Sequence, residues 1–234
     1  DDRPARRAGD VVVLGVYSGS TPALAAMSNR TVNFEQPAPF TYPIFLPSGD
    51  GLERIEPLVS SAEQQRAITA DPALGEAWRE QMRAHDRFWT CAAFCAPALD
   101  ASPFLRLVRR ALAISEIERR RQELIGGGFP IAETLRRMVI RFGRAAAEDG
   151  QHPIVMLVQG RDARDPDLLE ILGPTLAAHE IPYFATVEHA DPRDPGLFAG
   201  DGHYLRAVDA RFGHEFLQMP EVRALLSQDA PQGD

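Results

Sequence analysis

The sequence predicts an α/β fold, a doubly wound parallel sheet in three layers with a cap inserted after its first strand. Three observations carry this. The runs VVVLGV (Val11 to Val16), PIVMLVQ (Pro153 to Gln159) and PYFATV (Pro182 to Val187) are nearly continuous in apolar residues, as parallel strands covered on both faces by helices are. Amphipathic helical patterns stand before the second run, between the second and third, and after the third. The stretch from about 22 to 128 breaks the alternation and carries a hairpin and helices of its own, which sets it apart as an inserted cap within a single α/β domain.

Taken in order, FTYPIFLPSGDGLERIEPLV (Phe40 to Val59) reads as two short strands around Ser48-Gly49-Asp50-Gly51. Helical stretches follow over roughly Ser61 to Arg87 and Pro103 to Leu124, and IGGGFP then breaks the chain. AETLRRMVIRFGRAAAEDG puts Leu135, Met138, Val139 and Phe142 on one stripe and ends on Gly150, a C-cap directly before the second sheet strand. DPDLLEILGPTLAAHEI offers Asp165 or Asp167 as N-cap and predicts a kink or break at Gly173-Pro174. A last helix follows His203, its apolar face made by Leu205, Val208, Phe212, Phe216 and Leu217.

With 234 residues, 44% of them hydrophobic, the chain can bury a sizeable core. A net charge of −8 without a clustered basic patch argues against a nucleic-acid partner. All 25 basic side chains are arginine, which excludes a lysine nucleophile, a Schiff base or a Walker-type phosphate lysine. Cys91 and Cys95 are one helical turn apart; an i,i+4 pair seldom reaches disulfide geometry, and the expectation is two buried thiols, in keeping with a reducing compartment. The start DDRPARRAGD lacks the apolar core of a secretion signal and no apolar run is long enough to span a bilayer, so the chain as given is expected to be soluble.

The chemistry concentrates in LFAGDGHYLRAVDARFGHEFL (Leu197 to Leu217). Two residues apart in a turn, the Asp201 carboxylate can reach Nδ1 of His203, fixing the tautomer and leaving Nε2 as a base toward a hydroxyl. The pair follows the last strand, where open α/β sheets gather their ligands.

FAGDGHYLRAVDARFGHEFL resembles the terminal block of the SGNH (GDSL-type) hydrolases. DVVVLGVYSG resembles the middle strand of that family, and NRTVNFEQPAPFTYPIFLPSGDGLERIEPL resembles an inserted segment of a bacterial subgroup. The resemblance implies a flavodoxin-like sheet, an ester substrate such as an O-acylated carbohydrate, His203 as general base, Asp201 as its orienter, and no metal or organic cofactor. It also implies a serine in a Gly-Asp-Ser block. The Gly-Asp pairs at Gly9-Asp10, Gly49-Asp50, Gly200-Asp201 and Gly233-Asp234 are never followed by serine. The expectation is therefore that the first two strands and the nucleophile lie upstream of this chain. A non-catalytic scaffold, with a partner protein covering the missing strands, is the alternative.

Other candidates are weaker. Ser18, Gly19 and Ser20 follow the first strand where the family places substrate-facing and oxyanion groups, but the glycines of a nucleophile elbow are absent around both serines. Asn29, or Asn33, could supply an oxyanion amide, although a turn or helix cap is the plainer role. His214, with Asp201, His203 and Glu188 or His189, lacks the spacing of a zinc site. His85, Phe88 and Trp89 read as core aromatics in the cap.

Overall fold

The computed structural model describes residues 7–28, 41–91 and 101–228. In chain order the elements are β1 (Val11–Tyr17), β2 (Ile44–Ser48), β3 (Gly51–Ile55), α1 (Ala62–Ala70), α2 (Pro72–His85), α3 (Pro103–Glu123), α4 (Ile131–Glu148), β4 (His152–Val158), α5 (Leu168–Ala178), β5 (Tyr183–Ala185), α6 (Arg206–Gln218) and α7 (Pro220–Gln228). They fall into two compact units, residues 1–19 with 138–234, and residues 20–137.

The first unit is an α/β assembly on a three-stranded parallel sheet in the order β1-β4-β5. The register sets Val13 beside Ile154 and Met156 beside Phe184, so these residues share one face. Helix α6 lays Val208 and Phe212 on Phe184 of that face, with Met156 and Phe216 packed around them. Two side chains assigned to this apolar stripe, Leu205 and Leu217, are exposed instead. They stand at the two ends of the helix.

Strand β4 is central and carries three buried apolar residues, Ile154, Val155 and Leu157. Strand β1 corrects the sequence reading, which had both its faces covered. It occupies the sheet edge, and Val11, Val13 and Tyr17, all on one face, are exposed. An unbroken apolar run looks the same in sequence whether its cover belongs to the same chain or comes from elsewhere.

Gly150 ends α4 as expected. Its φ is +69°, and the Gly150 and Gln151 amides donate to Ala147 and Ala146. Gly143 lets that helix lie against Ile181, whose Cδ1 would be 2.5 Å from any added Cβ. Asp167 caps α5 by accepting from the Glu170 amide at 3.0 Å. Of the kink or break expected at Gly173-Pro174, a break does not occur. The helix runs on to Ala178 with Leu168, Leu172 and Leu176 buried, and this packing outweighs the amide that proline removes.

In the second unit the expected hairpin forms, β2 against β3, with Ser48 opposite Gly51. Arg137 of α4 pins its turn by donating to the carbonyls of Gly49 and Gly51, both at 2.6 Å. The helical stretch after Ser61 divides at Asp71, which closes α1 and caps α2 through the Ala73 amide. Val59, Met82, Phe88, Met27 and Ile44 are buried. Asp86 is buried too, and its carboxylate accepts from the amides of Met27 at 2.8 Å, Ser28 at 3.2 Å and Phe88 at 2.8 Å. Phe88 is core, as read from the sequence, while Trp89 meets Trp78 edge-on at 6.3 Å. Cys91 departs from expectation. It is exposed and disulfide-bonded rather than a buried thiol, so the argument for a reducing compartment falls. Cys95 lies outside the described residues.

Candidate functional site

Two loops meet at the carboxyl ends of β4 and β5. The turn after Phe198 is closed by the Gly202 amide on the Ala199 carbonyl at 3.0 Å and by the Ala199 amide on the His203 carbonyl at 2.8 Å. Gly202 adopts φ +90°, a conformation L side chains rarely take, and so turns the chain between Asp201 and His203. The turn is fastened from both sides. Phe198 stacks on Tyr204 at 4.4 Å, Tyr204 meets Phe212 of α6 edge-on, and the Tyr204 hydroxyl donates to the Gln159 carbonyl at 2.5 Å. Partial burial pushes the Tyr204 phenol up, which keeps it a donor.

The turn brings together the two residues singled out from the sequence. Nδ1 of His203 is 3.2 Å from Oδ2 of Asp201, and the His203 amide donates to Oδ1 at 3.1 Å. Those two bonds, the amide first and the ring second, hold the Asp201 carboxyl below its ordinary range. Asp201 is therefore an acceptor at neutral pH, and a neutral His203 donating to it presents the Nε2 lone pair outward. Both side chains are open to solvent, His203 85% and Asp201 69% exposed.

Ser18 is placed differently. Its side chain is fully buried; its hydroxyl accepts from the Gly160 amide at 2.8 Å and contacts Oδ2 of Asp165 at 3.3 Å. It ties the end of β1 to the loop after β4. Gly19 and Gly160 flank the Tyr17 ring, within 3 Å of where a Cβ would stand on either, so both glycines are steric requirements of that ring. Ser20 is exposed, and Asn29 and Asn33 lie outside the described residues.

Beside the turn is a cleft of about 730 Å³ whose walls include Arg161, Asp162, Asp165, Glu188, His189 and Arg193. Arg161 joins cleft and turn, its Nε 3.5 Å from the position of a Cβ on Gly202. Gln159 braces the floor: its amide donates to Thr186 Oγ1 at 3.0 Å, and its side chain spans from the Pro166 carbonyl to the Leu168 amide. His189 stacks on the core ring of Phe184 at 4.5 Å, and His214 is exposed on α6. No group of three metal-ligating side chains assembles among the described residues. Gln159, Tyr204 and Arg161 went unread in the sequence; only the rule that ligands gather beyond the carboxyl ends of the strands points to their loops.

In comparisons with known proteins, no family model, no curated protein and no solved structure matches the chain.

Proposed function

We propose that this chain carries the acid–base half of an SGNH-type serine site, acting on an ester as hydrolase or O-acyltransferase, with the serine supplied by polypeptide upstream of these residues. The observation that carries the proposal is the Asp201–His203 pair, 3.2 Å apart at the carboxyl end of a parallel sheet. Two features support the upstream origin. The Ser18 hydroxyl is committed to Gly160 and Asp165, and the edge and exposed face of β1 offer a place for a further strand and helix of a flavodoxin-like sheet.

In this reading Nε2 of His203 takes the serine proton as the serine oxygen attacks the ester carbonyl. Asp201 stabilises the imidazolium, and His203 returns the proton to the departing alkoxide. Water, or the hydroxyl of an acceptor such as a sugar, then takes the acyl group by the same exchange in reverse. Neither step calls for a metal or an organic cofactor.

The test is ester turnover by the protein as its natural source makes it, with and without His203→Ala. A loss of about 10⁶-fold with an unchanged melting temperature is expected. Equal turnover overturns the catalytic role. A second reading, a non-catalytic scaffold within a larger assembly, is favoured by the solvent exposure of the pair. It predicts no ester turnover in either form.

A further inference from the structure

The loops after β4 and β5 use their arginines in two ways. Arg164 folds back on Asp162, with Nε 2.9 Å from Oδ1 and an Nη 2.6 Å from Oδ2, and Arg193 repeats the arrangement on Asp191 at 2.9 and 3.0 Å. Each of these pairs cancels its own charge. Arg161 does not follow them: among the described residues it has no hydrogen-bond or ion-pair partner.

Its place is nevertheless fixed. The two residues before it are held, Gln159 through its carbonyl by the Tyr204 hydroxyl and Gly160 through its amide by the buried Ser18 hydroxyl. From there the side chain crosses the Asp201–His203 turn. Its Nε is 3.5 Å, and its Cζ and one Nη are 3.7 Å, from where a Cβ would stand on Gly202. Because residue 202 is glycine, the guanidinium lies against the turn itself, and it lines the cleft of about 730 Å³ beside it.

The carboxylates around it are engaged elsewhere. Asp162 and Asp191 hold Arg164 and Arg193, Asp165 meets the Ser18 hydroxyl at 3.3 Å, Asp167 caps α5, and Asp201 serves His203. A guanidinium is a planar fork of donors that matches a carboxylate through two parallel bonds. A fork left open between an acid–base pair and a cleft is a receptor for a carboxylate from outside the chain. Asp165, Asp167 and Glu188 also line the cleft, so one guanidinium facing them suits a singly charged group better than a doubly charged phosphate.

We propose that Arg161 is a specificity-determining residue of this site, receiving a carboxylate carried by the ester substrate. The proposal rests on the reading of Asp201 and His203 as an ester-acting pair. The probes are 4-acetoxybenzoate and its uncharged counterpart 4-acetoxybenzamide, which differ at the carboxylate and not at the ester. Binding to the 234-residue chain, followed by titration of the Gly202 and His203 amide signals, should be about ten-fold tighter for the benzoate. Arg161→Gln should bring that ratio to about one. Arg161→Lys should keep part of it, since a point charge replaces the fork, and Arg164→Gln, which removes a paired arginine of the same loop, should leave it unchanged. Arg161 is exposed, so the melting temperature should hold; if it falls in Arg161→Gln, Arg161→Met reads the same loss. The proposal is overturned if the chain binds both probes equally, if the preference survives in Arg161→Gln, or if Arg164→Gln removes it as fully. Turnover by the natural protein separates the two readings. Preference for the benzoate with no turnover of either ester overturns the acid–base role and leaves Arg161 as a carboxylate-binding residue, whereas turnover lost in His203→Ala but blind to the probe's charge overturns the role of Arg161 alone.

Discussion

Asp201 and Asp86, one in each unit, both accept backbone amides, yet they move in opposite directions. Asp86 accepts three amides and its carboxyl is nevertheless raised to about 6, because burial outweighs the hydrogen bonds from Phe88, Met27 and Ser28. Asp201 accepts one amide and one imidazole at the surface, and its carboxyl is lowered. Hydrogen-bond number does not decide a carboxylate's proton affinity when desolvation differs. The contrast also assigns roles: Asp86 fastens Met27 and Ser28 to Phe88, while Asp201 is a charge kept available to its neighbour.

The larger effect at these two aspartates comes from breaking the pair at Asp201. Asp201→Asn keeps the size of the side chain but replaces the acceptor toward Nδ1 with an amide able to donate, favouring the wrong tautomer. Ester turnover of the natural protein should fall by about 10⁴-fold, while the melting temperature stays put because the side chain is exposed. Asp86→Ala should do the reverse, leaving three buried amides without acceptors and destabilising the second unit by about 3 kcal/mol in urea unfolding. Turnover measured below the unfolding transition should survive.

The two aspartates also part in their pH dependence. Asp86 binds its proton more tightly folded, near 6, than unfolded, near 3.8. Its contribution is therefore fully present below about pH 4, lost as pH rises to about 6, and flat above. The span is of the order of 3 kcal/mol. Unfolding free energies of the wild type minus those of Asp86→Asn should fall across this window, which removes every other carboxylate from the comparison. A difference that rises with pH would mean that the buried carboxyl is stabilised as the anion. Asp201, its carboxyl lowered, contributes with the opposite sign and loses its favoured anion only in more acid solution.

Much of this architecture was legible because local chemistry and tertiary role agree. The β2–β3 hairpin around Gly49, the Asp167 cap and the Gly150 stop each depend on residues within a few positions of one another. The Asp201–His203 pair was legible for the same reason. What escaped depends on distant chain or on missing cover. Ser18 and Asp165 are 147 positions apart, and no pattern joins them. The open face of β1 reads as an ordinary core segment, because an apolar pattern reports that a face is apolar but not what covers it. The helix through Gly173-Pro174 shows packing of Leu168, Leu172 and Leu176 overriding a local breaker.

The smallest effect tests the local rules at a position where the chain defies one. Glu180 has φ +53° and follows α5 as Gly150 follows α4; the Glu180 and Ile181 amides donate to Ala177 and Leu176, the closing pattern seen at Gly150. A side chain with a Cβ is strained in this region, and glycine is not. Glu180→Gly should therefore stabilise the first unit, by about 1 kcal/mol after the greater freedom of the unfolded glycine chain is subtracted. Gly150→Ala should cost a similar amount or more, since its Cβ would also stand 3.3 Å from that of Ala8. Equal stability of Glu180→Gly and the wild type would mean that the glutamate side chain makes good its backbone strain. Opposite signs at the two helix ends would show that one turn geometry, occupied by different residues, sets both.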